Sequence, residues 1–228
     1  MKITIPRFVT AFAALPLALV VAASRLGAAP RADVAPVPAD ALAAASSEAI
    51  AVFAGGCFWG IEGVFEHIKG VKSAESGYAG GDLATANYDA VSGGRTGHAE
   101  VVRVVYDPKR ISYGQLLQVF FSVAHNPTEL NRQGPDYGTQ YRSAIFYTSD
   151  EQRKVAQAYI AQMTAAKTFR KPIVTQIVPL TVFHVAEAYH QDYMAQHPNA
   201  MYIVMHDAPK LKQLQRQFPA LYQVPDKG

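Results

Sequence analysis

Two adjacent glycines, Gly55-Gly56, separate the apolar run Ile50-Ala51-Val52-Phe53-Ala54 from Phe58, Ile61, Val64, Phe65 and Ile68, which recur at helical spacing. The run reads as a strand and the periodic residues as a helix. The glycines then form a tight turn in which a Cβ would clash or force a positive φ. The residue at the helix start is Cys57, the single cysteine of the chain. Free N–H groups and the positive end of the helix dipole favour a thiolate there. A lone cysteine is more often a small buried hydrophobe. The glycine turn before it and Phe58-Trp59 after it argue for a nucleophile.

The N-terminus reads separately. Lys2 and Arg7 precede an uncharged stretch from Phe8 to Ser24 rich in Ala, Leu and Val, and small residues follow. A secretory signal peptide is expected over residues 1–23, with an uncleaved anchor as the second reading. Cleavage after Ala23 and after Ala28 both fit, and no cysteine lies nearby for a lipid anchor. Residues 24–47, rich in Ala and Pro, read as a linker. A single catalytic domain is expected over 48–228. Export to a periplasm follows, and one cysteine allows no internal disulfide. The formal charge of +3 loses two units with Lys2 and Arg7. No Lys/Arg cluster with interleaved aromatics argues for nucleic acid. C-x-x-C, zinc-ligand spacing, a P-loop and G-x-S-x-G are all missing from the sequence.

Within the domain, Val71 to Tyr78 reads as a strand and 82–97 as a polar loop holding Tyr88, either a lid on the core or part of a site. His98 to Tyr106 reads as a central strand. Glu100 near its start either faces solvent or is partly buried with a raised pKa. Ser112 and Gln115 form a capping box before a helix with Leu116, Leu117, Phe120, Phe121 and Ala124 on one face. A second polar loop, 131–143, suits site building and contains Asp136 and Tyr141. After it come a strand from Ala144 to Thr148 and a helix capped by Ser149. Strand-like runs 173–178 and 181–185 are split by Pro179. A helix is expected from Ala186 to His197, and a last one after Asp207-Ala208-Pro209 with Leu211, Leu214 and Phe218 inward. The pattern is α+β.

These residues suggest a chemistry. Cys57 is a nucleophile candidate, Phe58 and Trp59 an apolar wall, Glu100 an acid, and Tyr88 and Tyr141 hydroxyl donors. Such a site suits an electrophile with a polar oxygen beside a small apolar group, as in a methyl sulfoxide. A cysteine hydrolase would use a histidine base, and seven histidines leave that open. A thiol peroxidase would also use one activated cysteine, and a non-catalytic sulfoxide-binding module would keep the aromatic wall.

Three stretches, Gly56-Cys57-Phe58-Trp59-Gly60, Thr96 to Val102 and Asn131 to Ser143, resemble the A-type peptide-methionine sulfoxide reductases, and the similarity runs from Glu48 to Tyr222. The resemblance implies a two-layer α/β sandwich with a ferredoxin-like core wrapped by long loops. It implies reduction of the S epimer of methionine sulfoxide, free or in oxidised proteins. Cys57 would attack sulfur, Glu100 would protonate the oxygen, Tyr88 and Tyr141 would bond that oxygen, and Phe58 and Trp59 would enclose the methyl group. Asp136 and His190 would make polar contacts around the pocket. No bound cofactor or metal is expected; the resulting sulfenic acid would need an external thiol, thioredoxin-like, glutaredoxin-like or dithiothreitol. A monomer is expected. The sequence departs from the family pattern at Asn126 and Ala188, where Asp is expected, and in having no recycling cysteine near its C-terminus.

Overall fold

The structure, a computed structural model, describes Met1 and residues 48–225. The expected leader, apart from Met1, and the linker lie outside the described residues. In chain order the main elements are β1 (Ala49–Ala54), α1 (Phe58–Glu66), β2 (Val71–Ala79), α2 (Tyr88–Ser92), β3 (Ala99–Tyr106) and α3 (Tyr113–Val119). The short strands β4 (Arg132–Gln133) and β5 (Asp136–Tyr137) follow, then β6 (Ala144–Tyr147), α4 (Asp150–Ala165), β7 (Gln176–Pro179), β8 (Phe183–Val185), α5 (Tyr193–Gln196) and α6 (Ala208–Gln217).

The main sheet has the order β7-β6-β1-β3-β2-β8. Its inner strands, β6-β1-β3-β2, are antiparallel neighbours. Together with α1 after β1 and α3 after β3, they form the split β-α-β-β-α-β arrangement of a ferredoxin-like core. β7 adds in parallel to β6, and β8 adds antiparallel to β2. Pro179 sits on an edge strand, where a missing N–H costs least.

Side-chain alternation assigns the two faces. Ala51 and Phe53 of β1 and Val102, Val104 and Tyr106 of β3 enter the core shared with α1, α3, α4 and α6. Val52, Ala54, Val101 and Phe146 pack on the other face under Val178, Leu180 and Phe183. Glu100 shares the parity of Val102, so the pleat aims it at the helical layer. The capping box at Ser112 is present with both bonds, and Ser149 caps α4.

Three expectations change. The 82–97 loop contains a short helix, α2, capped by the Asn87 side chain. The 131–143 loop contains the β4–β5 hairpin. The helix expected over Ala186–His197 is instead a single 3-10 turn at Ala188–His190, a left-handed Asp192 (φ 55°) and the four-residue α5. The Gln191 side chain competes for the backbone here: it accepts from Ser76 N–H and donates to the Ser76 and Ala186 carbonyls.

Candidate active site

β1 ends in a turn that only glycine fits. Gly56 has φ +101°, and a Cβ on it would lie 2.6 Å from Gln133 Cγ; one on Gly55 would lie 2.8 Å from the His125 ring. His125 is itself fixed, with Nδ1 2.9 Å from the Phe120 carbonyl and Nε2 2.7 Å from Ser143 Oγ. Burial drives its pKa down to about 3, so it is a neutral structural group at physiological pH. Cys57 then occupies the N-cap of α1, where its side chain makes no capping bond.

The first free N–H of α1, on Phe58, donates to Glu100 Oε2 at 3.0 Å. Glu100 is 2 % exposed. Burial, with a smaller contribution from the nearby Asp136 charge, lifts its pKa to about 8 against the opposing pull of the Phe58 bond. It is therefore mostly protonated at pH 7, which decides between the two readings of Glu100 in favour of the buried one. Cys57 keeps part of its surface open but is densely surrounded. Burial, then Glu100, then Asp207 push its thiol well above 9.0, while the Trp59 backbone N–H and Lys210 pull it down. A helix start alone therefore does not hold this cysteine as a thiolate, contrary to the expectation from its position. Protonating Glu100 removes one of the two anions that oppose ionisation.

Tyr88, Tyr141 and Asp136 are gathered around the same point. The hydroxyls of Tyr88 and Tyr141 are held above their ordinary pKa by burial first and then by Glu100, so both remain donors. Asp136, on β5, accepts a short hydrogen bond from Tyr202. Trp59 stacks on Tyr193 with ring centres 3.7 Å apart, meets Tyr202 edge-on, and donates from Nε1 to His190 Nδ1 at 3.1 Å. That bond makes Nδ1 the acceptor and leaves the proton on His190 Nε2, 3.8 Å from Glu187. Phe58 is 1 % exposed and packs against Tyr78 and His190, so it supports the aromatic wall from beneath.

Sequence reasoning missed four contributors. Tyr202 lay hidden in an apolar run. Glu187 accepts from the Tyr78 hydroxyl and the Tyr88 N–H, each at 2.9 Å, and so ties β2 to α2. Arg142 donates to the carbonyls of Gly97 and His98 just before Glu100. Asp207 is fully buried against α1. The two polar loops are also bonded together, through Thr139 Oγ1 to the Gly94 carbonyl and Gln140 Nε2 to the Ser92 carbonyl. Asn126 serves its own turn, accepting from the N–H and hydroxyl of Thr128. Among the described residues no group of three or more His, Cys, Asp or Glu is placed to hold a metal.

This arrangement presents a thiol, a neutral carboxylic acid and two phenols to one small volume beside an indole. A family model described as peptide methionine sulfoxide reductase matches residues 49–221. A peptide methionine sulfoxide reductase of Mesorhizobium japonicum is 57% identical over 183 residues, covering 80% of this chain and 93% of the relative. One from Synechocystis is 54% identical over 168 residues, covering 74% and 78%. Among solved structures, reduced Mxr1 of Saccharomyces cerevisiae is 35% identical with a TM-score of 0.60, covering 67% of this chain and 87% of that one. Methionine sulfoxide reductase A of Corynebacterium diphtheriae is 32% identical with a TM-score of 0.57, covering 75% and 88%.

Proposed function

Because the chain belongs to the peptide methionine sulfoxide reductase family and so reduces methionine sulfoxide to methionine in oxidative repair, we propose that Cys57 and Glu100 carry the reaction as nucleophile and acid. The observation that supports this most is the covered Glu100 carboxyl bonded to the N–H that follows Cys57. Cys57 loses its proton to solvent and, as the thiolate, attacks the sulfoxide sulfur. Glu100 gives its proton to the sulfoxide oxygen, which ends on Cys57 as a sulfenic acid, and methionine leaves with its sulfur reduced. Tyr88 and Tyr141 donate to that oxygen as it gains negative charge. Trp59 lies against the methyl group, Phe58 backs the wall, and Asp136 with Tyr202 closes the polar side.

A pocket with the oxygen fixed on one side and the methyl on the other accepts one epimer at sulfur, and the resemblance to the A-type reductases implies the S form. An external thiol then attacks the sulfenic acid, releasing water and forming a mixed disulfide. A second thiol cleaves that disulfide and restores Cys57. A thioredoxin-like or glutaredoxin-like domain, or dithiothreitol, can serve. The enzyme acts as a monomer. It is exported to a periplasm through the leader at residues 1–23, and recovery of the secreted form with its N-terminus still at Met1 would exclude cleavage. The test of function is incubation with each purified sulfoxide epimer and dithiothreitol. Methionine from the S epimer alone is expected, and equal turnover of both would sink the pocket assignment.

A further inference from the structure

Asp207 stands at the N-cap of α6, a position where Asp ordinarily accepts from a helix N–H. It makes no such bond. Its carboxylate turns toward α1, accepts from Lys210 Nζ at 3.0 Å, and is completely buried, with Oδ2 lacking any partner. A Cβ on Gly60 would lie 2.0 Å from Asp207 Oδ1 and 2.7 Å from Lys210 Nζ. The glycine of α1 thus makes room for an ion pair. Gly60 lies in the first turn of α1, directly after the N-cap Cys57, and both charges of the pair are felt at the Cys57 thiol. The pair therefore packs against the first turn of α1 from the start of α6, whereas Glu100 belongs to β3. The Lys210 side chain is only 20% exposed.

We propose that the Asp207–Lys210 pair is a positioning device for Cys57: Lys210 supplies the positive charge that stabilises the thiolate as attack begins, and Asp207 holds that charge against Gly60. The proposal rests on Cys57 being the nucleophile. It has a physical need behind it, because burial, Glu100 and Asp207 all disfavour the thiolate, and against them stand the Trp59 N–H and a nearby cation, Lys210. Other groups with a charge or proton near this point are Glu100 on β3, Asp136 on β5, Tyr88 on α2, and Tyr141, Tyr202, His190 and His206. Among these, Glu100 and Asp136 are acids, and the phenols carry no charge at neutral pH. A buried unpartnered Asp207 takes up a proton, so removing Lys210 deprives the thiol of a cation without adding an anion.

Cys57 is the sole thiol, so iodoacetamide uptake across pH reports its ionisation independently of catalysis. Removing a nearby cation lowers the fraction of an acid that is ionised, on the order of tenfold for a partly buried pair. Lys210→Met should slow alkylation near neutral pH by roughly tenfold. Asp207→Asn, which leaves Lys210 unneutralised, should accelerate it by a similar factor. Lys210→Arg should return it toward wild type. Single-turnover methionine release should follow the same order, with the KM for sulfoxide little changed. Alkylation midpoints that do not move, or that move the same way in Lys210→Met and Asp207→Asn, would overturn the proposal. If Asp207→Asn does not fold by circular dichroism, the comparison of Lys210→Met with Lys210→Arg decides alone: slowing that Arg reverses supports the device, and any other result removes it. Altered alkylation with an inert Cys57 in turnover would instead count against the nucleophile assignment.

Discussion

Glu100 can act as an acid at neutral pH because it is covered. An exposed glutamate with a pKa near 4.5 would have lost its proton long before pH 7; burial keeps this one protonated up to about 8. Two predictions follow from its proton. Glu100→Gln preserves the shape and removes the acid, so single-turnover methionine release should fall by about 10²–10⁴-fold at pH 7. In the wild type the rise of this rate with pH, driven by ionisation of Cys57, should level off as Glu100 loses its proton near 8, whereas in the Gln variant the slower rate should keep rising through that pH. Rapid-quench release at an undiminished rate in Glu100→Gln would exclude the role. The phenols of Tyr88 and Tyr141 stay protonated over this range, so they add no second break below their own high titration.

The turn from β1 into α1 places Cys57, and its tolerance is small. Gly56→Ala puts a side chain at φ +101° against the Gln133 stem. Gln133 in turn bonds both the N–H and the carbonyl of Asn126, so the strain spreads into the loop before the β4–β5 hairpin. A non-glycine residue in this backbone region costs on the order of 1–3 kcal/mol. Urea unfolding should show a loss of that size, with slower methionine release from a misplaced thiol. Wild-type stability and rate in Gly56→Ala would mean that the turn relaxes freely. The second device of α1 is Glu62, 1% exposed, whose carboxyl accepts from Ser76 on β2 and from the backbone at Asp192. It fastens the helix to the segment that carries Glu187 and His190.

Across the whole molecule, Glu62 and Glu100 both titrate near 8 in the folded state, against about 4.5 as ordinary glutamates. Between these values the native state binds protons that the unfolded chain has lost, so stability falls as pH rises from 4.5 to 8. His125 works in the opposite direction: its folded pKa of about 3 lies below 6.5, so its contribution is lost as pH falls from 6.5 toward 3. Glu62→Gln should flatten the alkaline decline by an amount on the order of a few kcal/mol, measured by urea unfolding at a series of pH values. An unchanged slope would show that Glu62 is not held neutral. The single cysteine sets the turnover of the whole chain. With sulfoxide and no reductant, about one methionine per chain should appear. Cys57 should then carry one added oxygen by mass. Sustained turnover without an external thiol would contradict the cycle.

Gly55-Gly56-Cys57, the nearly continuous apolar run of β3 and the capping box at Ser112 were legible in the sequence because each depends on neighbours in the chain. Backbone conformation, side-chain period and local capping are short-range matters, and they gave the strand-to-helix turn, the Glu100 candidate and the α+β pattern. The ferredoxin-like topology came through resemblance, since periodicity carries no strand order. Tertiary structure decided what depends on distant partners. The break of Ala186–His197 into a 3-10 turn and the short α5 goes with Gln191 bonding to β2, against a local helical pattern. Tyr202, Glu187, Arg142 and Asp207 each meet a residue far away in the chain: Asp136, Tyr78 and Tyr88, Gly97 and His98, and Gly60. The titration of Cys57 reverses the local expectation for the same reason: a helix end favours its thiolate, but burial first, and after it the carboxyls of Glu100 on β3 and Asp207 at the start of α6, push the other way across the fold.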